Sequence, residues 1–266
     1  YELLPLPTNH DRITILLSGA VCSALPSRIV GGYPTTIDKY PSIVQVEFLG
    51  VFSGAWSQSC AASILNSYFV LSAAHCFDGW SYRPDLRRIR AGATYRNTGG
   101  IVNDVDREFN HPTYGQLGLD GDISVVRLQT ALIFSPVVQP ATIISQDYTI
   151  PDNMPVVHAG WGAVAEEGPA SSELLDVTVF KVNREVCQER YLNAPEPGIV
   201  TENMICAGIL DIGGKDACQG DFGGPLYYGE ILIGIVSWGE GCALAEFPRV
   251  STRVASYTNW IVATAS

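Results

Sequence analysis

Short runs of alternating apolar and polar residues constrain this chain more than anything else in it. Ser42–Phe48, Ile123–Leu128 and Leu175–Val182 all alternate, and Tyr227–Trp238 reads as two strands around the Gly229-Glu230 turn. Period-two alternation puts one set of side chains on each face of an extended strand. Gly and Pro (26 and 16 residues) interrupt the runs at short intervals, as in sandwiches and barrels. Two helices are expected, one over roughly Arg184 to Leu192 and one closing the chain with Val254, Tyr257 and Ile261 on a single face. A length of 266 residues suits one large all-β domain or a pair of fused small barrels.

Apolar residues make up 47% of the chain and charged residues 16%, so a large core can be buried and disorder is excluded. The net charge of -11 argues against a nucleic-acid face and against attraction to an anionic membrane. No apolar run reaches the ~18 residues of a spanning helix. Of the 16 basic residues only Lys39, Lys181 and Lys215 are lysines. Arginine keeps its charge beyond the pH, roughly 10.4, at which lysine loses it. The bias therefore fits either compositional drift or an alkaline fluid.

Residues 1–12 show no period, and Ile13–Val21 is a short apolar run behind Arg12 that closes on the small residues of Cys22-Ser23-Ala24. The pattern is that of a secretory signal, with a buried strand as the alternative. Seven cysteines point to an oxidising compartment. Cleavage after Ala24 would remove Cys22 and leave an even set, for which composition allows about fifteen pairings.

Four segments carry the chemistry. Arg28-Ile29-Val30-Gly31-Gly32 is a basic residue before an apolar, glycine-rich start. Leu71-Ser72-Ala73-Ala74-His75-Cys76 sets a histidine beside a cysteine that could anchor it. Asp120-Gly121-Asp122-Ile123-Ser124-Val125 leads an acid into a buried strand. Asp216-Ala217-Cys218-Gln219-Gly220-Asp221-Phe222-Gly223-Gly224-Pro225 is followed by Ser237-Trp238-Gly239-Glu240-Gly241-Cys242. Each of the first three is weak alone; the fourth is specific, and the order of all four is hard to reach by chance.

From Ile29 to Ser266 the chain resembles the trypsin-like (chymotrypsin-fold, S1) serine endopeptidases. It looks most like the digestive enzymes of insects, which Thr201–Gly208 and the arginine bias both fit. The resemblance implies an all-β fold of two six-stranded antiparallel barrels with a C-terminal helix and a boundary near residues 135–140. It implies disulfides Cys60–Cys76, Cys187–Cys206 and Cys218–Cys242. Residues 1–24 would be signal peptide and N-terminal extension, and 25–28 a short activation propeptide. A trypsin-like protease would cut after Arg28, and the new amino group of Ile29 would pair with Asp221 and order the pocket loops. His75 matches the family's general base and Asp122 the acid that orients it. Gly220 and Phe222 match the residues whose N–H groups form the oxyanion hole, and Asp216, Ser237 and Gly239 line the substrate pocket.

Two positions depart from the pattern. The nucleophile should follow Asp221, and that residue is Phe222, which has no oxygen or sulfur with which to attack a carbonyl. Members with an open pocket carry Gly where this chain has Arg249, so the arginine is expected to enter the pocket and pair with Asp216; a swing to solvent is the alternative. Losing a triad member leaves a residual ~10³–10⁴-fold rate over water in this family, and a ring where the scissile carbonyl must sit should forfeit much of that. The expectation is a secreted, extracellular, monomeric protease homologue without peptidase activity. Its partners would be protein ligands: protease inhibitors, proteases or other extracellular proteins. Competing readings are an active digestive endopeptidase, if residue 222 is a sequence artefact, and an inert protein kept for bulk. No cofactor or metal is expected. The stretch Gly92–Ile101, where some relatives hold calcium, contains no Asp or Glu, and the four histidines lack ligand spacing.

Overall fold

A computed structural model describes residues 30–80 and 82–266. The expected signal peptide and propeptide, with Arg28 and Ile29, lie outside the described residues. In chain order the strands are β1 (Tyr33–Pro34), β2 (Ile43–Leu49), β3 (Trp56–Ile64), β4 (Phe69–Ser72), β5 (Arg87–Ala91), β6 (Ile101–Asn110) and β7 (Ser124–Leu128). They continue as β8 (Thr142–Ile143), β9 (Pro155–Gly160), β10 (Leu175–Val182), β11 (Met204–Gly208), β12 (Pro225–Tyr228), β13 (Ile231–Trp238) and β14 (Arg249–Arg253). The helices are α1 (Arg184–Leu192) and α2 (Thr258–Thr264).

Two antiparallel barrels of six strands result. The first closes in the order β2-β3-β4-β7-β6-β5. The second runs β9-β10-β11-β14-β13-β12 and closes through the β12–β9 pairing, with β1 and β8 attached at its rim. Closure satisfies the backbone groups that an open sheet would leave at its edges. One apolar cluster spans both barrels, from Val44, Leu71 and Val126 to Trp161, Leu226, Ile235 and Ile261. A second gathers under α1 around Cys187, Tyr191, Met204 and Val250.

The alternation of β2 survives in chemistry but not in burial. Val44 and Val46 join the core, yet Gln45 and Glu47 on the opposite face are buried too. Arg88 and Arg90 of β5 each place Nε 2.5 Å from the Glu47 carboxylate, and the backbone N–H of Asn97 donates to Gln45 Oε1 at 2.8 Å. A buried carboxylate is tolerable here because two guanidinium groups answer it.

Helix α1 forms where expected. Asn183 caps it by accepting from the Val186 N–H at 3.1 Å, with Glu185 in the first turn and Arg190 in the last, the favourable order for the helix dipole. The C-terminal stripe differs from a single helix. Val254–Ser256 is a 3-10 turn, Tyr257 a junction, and only then does α2 begin. Arg253 is both the last residue of β14 and the extended residue that precedes the 3-10 turn, so the winding starts directly from the strand, where a short 3-10 piece is a common connector. Val254, Tyr257 and Ile261 are nonetheless all buried.

The disulfides are Cys60–Cys76, Cys187–Cys206 and Cys218–Cys242, closing 16, 19 and 24 residues. In the chain-entropy picture each loop of this length contributes about 3 kcal/mol. The first ties β3 to the segment after β4, the second α1 to β11, and the third two loops of the second barrel.

Candidate functional site

His75 sits in a 3-10 turn (Ala74–Phe77) directly after β4, with its neighbour Cys76 fixed to β3 by the disulfide. Its backbone N–H donates to Asp122 Oδ1 at 2.9 Å, and its Nδ1 lies 2.8 Å from Asp122 Oδ2. A carboxylate can only accept, so Nδ1 carries the proton and Nε2 is the open nitrogen. Asp122 is fully buried at the start of β7 and is held from the second barrel as well. Ser237 Oγ donates to Oδ2 at 2.5 Å, and Thr252 Oγ1 donates to the Asp122 carbonyl at 2.7 Å. His75 and Asp122 therefore form one hydrogen-bonded unit at the junction of the barrels.

Phe222 occupies the turn between Cys218 and β12. Its carbonyl accepts from the Ala61 N–H at 2.8 Å, and Gly223 N–H donates to Val236 at 2.8 Å. Gly223 has φ +77°, and a Cβ there would stand 2.5 Å from the Ala61 carbonyl oxygen, so only glycine lets the turn approach β3. The turn aims the phenyl ring at the imidazole: the ring centroids are 5.4 Å apart at 79°, an edge-to-face pair. A hydrocarbon ring thus stands beside the His75 imidazole, where the resemblance leads one to expect an oxygen.

The neighbouring turn is held by a residue that the motif gave no reason to single out. Gln58 is buried; its Nε2 donates to the Gly220 carbonyl at 2.6 Å while Arg96 Nε donates to its Oε1 at 2.7 Å. Gly220 has φ +101°. Asp221 is buried and accepts from the Gly162 and Cys218 N–H groups at 2.8 and 3.0 Å. Burial pushes its carboxyl up to about 6, against the pull of those two N–H groups. No ion pair to Asp221 is found among the described residues. Val30, the residue following Ile29, packs on Ala163, Cys218 and Cys242, and its carbonyl accepts from the Asp216 N–H at 3.1 Å. The start of the described chain is thereby seated on the loop that carries Asp221.

Asp216 and Arg249 meet, as expected from the sequence. Arg249 opens β14 and turns inward, with Nη2 2.8 Å from Asp216 Oδ2 and Nε 3.3 Å from Oδ1. The same Nη2 donates to the Gly241 carbonyl at 2.6 Å, and Asp216 Oδ2 also accepts from the Ala243 N–H at 3.0 Å. The two side chains are only 2% and 4% exposed. A Cβ on Gly239 would lie 2.7 Å from Arg249 Nη1, so the guanidinium fills the slot beside Gly239. Burial alone would lower the arginine's pKa, but the charge and hydrogen bonds of Asp216 raise it above its ordinary value. The guanidinium stays charged, with the Asp216 carboxylate offsetting its desolvation.

Two further residues could not have been found from periodicity. Tyr191 on α1 donates to the Pro248 carbonyl at 2.7 Å and packs at a tilt against the rings of Trp238 and Phe247, bracing the strand entry that aims Arg249. His158 on β9 is buried and feels both Asp216 and Arg249; burial pulls its imidazole down to about 4. Neither ring nitrogen makes a hydrogen bond of good geometry among the described residues, and the Pro225 backbone offsets only a little of the effect of burial. Its place in the strand β9 reads as an ordinary core position, and only the closed barrel brings it under the pocket.

Among the described residues the one metal-like grouping is Cys60, His75 and Cys76, and its two sulfurs are bonded to each other, which removes them as ligands. Two clefts of about 400 and 580 Å³ share Asp152, Lys181, Val182 and Asn183 and contain none of the expected catalytic, oxyanion-hole or substrate-pocket residues.

Comparison with known proteins agrees with this geometry. Residues 29–261 match the Trypsin family. The chain is 44% identical over 242 residues to "Trypsin, alkaline A" of Manduca sexta, covering 91% of this chain and 93% of that protein. It is 40% identical over 261 residues to "Trypsin CFT-1" of Choristoneura fumiferana, covering 96% and 100%. With the "Vitellin-degrading protease" of Bombyx mori it shares 38% identity over 234 residues, 88% and 84% of the two chains. Barrels, disulfides and sequence together place the chain in the trypsin family of S1 serine proteases.

Proposed function

We propose that this member of the family is a secreted binding protein that does not cleave peptides. The observation that carries the reading is the Phe222 ring, 5.4 Å from the His75 imidazole. His75 and Asp122 are arranged to accept a proton, but residue 222 has none to give and no lone pair to attack with. Any N–H groups of Gly220 and Phe222 that could stabilise an oxyanion act on a reaction that does not start. The Arg249–Asp216 pair supports the same conclusion independently, because a substrate's Arg or Lys side chain finds its counter-charge already taken.

Binding is then the remaining use of the scaffold, with extracellular proteins as partners. An inhibitor loop that inserts a basic side chain meets Arg249, so a partner must grip the rim of the cleft rather than the pocket. Secretion fits the three disulfides, and processing after Arg28 fits the seating of Val30 beside Asp216. The names of the relatives favour a second reading, a digestive endopeptidase; it requires a hydroxyl at residue 222. Incubating the purified, Arg28-cleaved protein with fluorogenic Arg- and Lys-containing peptides separates the two. Hydrolysis at the buffer rate supports the binding reading, and saturable turnover overturns it.

A further inference from the structure

The guanidinium of Arg249 does more than occupy a slot. It touches Asp216 on one loop and the Gly241 carbonyl on the other, and it is anchored at the start of β14. Asp216 in turn binds the Ala243 N–H, and the Ala243 carbonyl accepts from the Gly214 N–H at 2.9 Å. The Cys218–Cys242 disulfide joins the same two loops covalently. Three walls of the pocket are thus cross-linked through one side chain that belongs to the chain itself and is never released.

We propose that Arg249 is a built-in organiser of the pocket, so that the loops 211–221 and 239–248 are ordered whether or not the chain has been cut after Arg28. In the family, the new amino group at Ile29 supplies this order by pairing with Asp221. Here the order has a second source, in a different part of the pocket, which acts before cleavage. An arriving cation ordinarily stabilises such a pocket by occupying its acid; an intramolecular cation does so at an effective concentration no free ligand reaches. Cutting at Arg28 consequently changes the start of the chain without switching the binding surface on. The proposal rests on the pocket half of the reading above, the placement of Arg249 against Asp216, and does not depend on the missing nucleophile.

Amide hydrogen exchange on the full chain tests it. Arg28→Gln, which cannot be cut by a trypsin-like enzyme, is compared with the cleaved wild type. Equal protection of 211–221 and 239–248 in the two forms is expected. In the Arg28→Gln background, Arg249→Gly should expose these loops about 100-fold faster, because the buried acid is left without its partner. Benzamidinium added to that variant should restore protection, which shows that the rest of the molecule is folded. Exchange at least ~10-fold faster in Arg28→Gln than in the cleaved wild type, with Arg249 in place, overturns the proposal. So does unchanged protection on Arg249→Gly. Fluorescence of p-aminobenzamidine checks the underlying reading separately: it should not bind the wild type, and binding would show that Arg249 leaves the pocket open.

Discussion

Replacing Arg249 by glycine removes three hydrogen bonds at once, two to Asp216 and one to the Gly241 carbonyl. What remains is a carboxylate whose side chain is 4% exposed and whose other close donor is the Ala243 N–H. Orphaning a buried charge costs about 3–5 kcal/mol. The arginine's departure also opens its volume to water, which rehydrates the acid and favours the lower end of that range. In a domain of this size each kcal/mol moves the melting temperature by roughly 2–4 °C. Arg249→Gly should therefore melt about 6–12 °C below the wild type in a calorimetric or fluorescence scan. Benzamidinium at a hundred times its dissociation constant should return about 2.7 kcal/mol to the variant and nothing to the wild type, whose acid is already paired. A loss smaller than about 1 kcal/mol, or equal stabilisation of both proteins by benzamidinium, would refute the reasoning.

The remaining predictions concern other parts of the site and fold. Phe222→Ser alone should leave Arg-containing peptides uncut, because the pocket is still plugged. Phe222→Ser with Arg249→Gly should raise kcat/KM by at least ~10³-fold over either single variant in a fluorogenic peptide assay. His158 binds its proton less readily folded, with a pKa of about 4, than unfolded near 6.5, so its contribution to stability is present above 6.5 and is lost as pH falls toward 4. Denaturant titrations should show the advantage of wild type over His158→Val shrinking by about 3 kcal/mol across that window. In the uncleaved chain Asp221 has the opposite sign: its raised pKa of about 6 makes its contribution largest below 3.8 and lost as pH rises through 6, so Asp221 partly masks the His158 effect in the uncleaved wild type. Removing the Asn183 side chain as Asn183→Ala should cost about 1 kcal/mol by leaving the Val186 N–H of α1 uncapped, measured by urea unfolding.

Much of this arrangement was legible in the sequence because strands and motifs are local. Leu175–Val182 alternates and forms β10 as read, and the two strands expected around Gly229-Glu230 are β12 and β13, of which Leu232–Ser237 is buried on both faces. The disulfides and the meeting of His75 with Asp122 came from the resemblance, since contacts across 47 residues leave no trace in periodicity. The inward turn of Arg249 also came from the resemblance, which sets a glycine at that position and Asp216 in the pocket, joined to what a buried acid requires. Gln58, Tyr191 and His158 were not reachable in this way. Each is made important by a neighbour from another part of the barrel: Gly220 for Gln58, Pro248 for Tyr191, and the Asp216–Arg249 pair for His158. The closing helix was misread at its start for a related reason. Val254, Tyr257 and Ile261 have helical spacing, but the geometry of leaving β14 decides how the chain winds there.

The central claim is that residue 222 offers no attacking atom, and intact-protein mass spectrometry after exposure to a small fluorophosphonate reads this directly. Such a reagent needs only an activated nucleophile and an oxyanion site, so a plugged specificity pocket does not protect against it. The account predicts an unchanged mass for the native, Arg28-cleaved protein, while an active trypsin run in parallel gains the phosphonyl group. A stoichiometric adduct on this chain, mapped to the 216–225 segment, would contradict it.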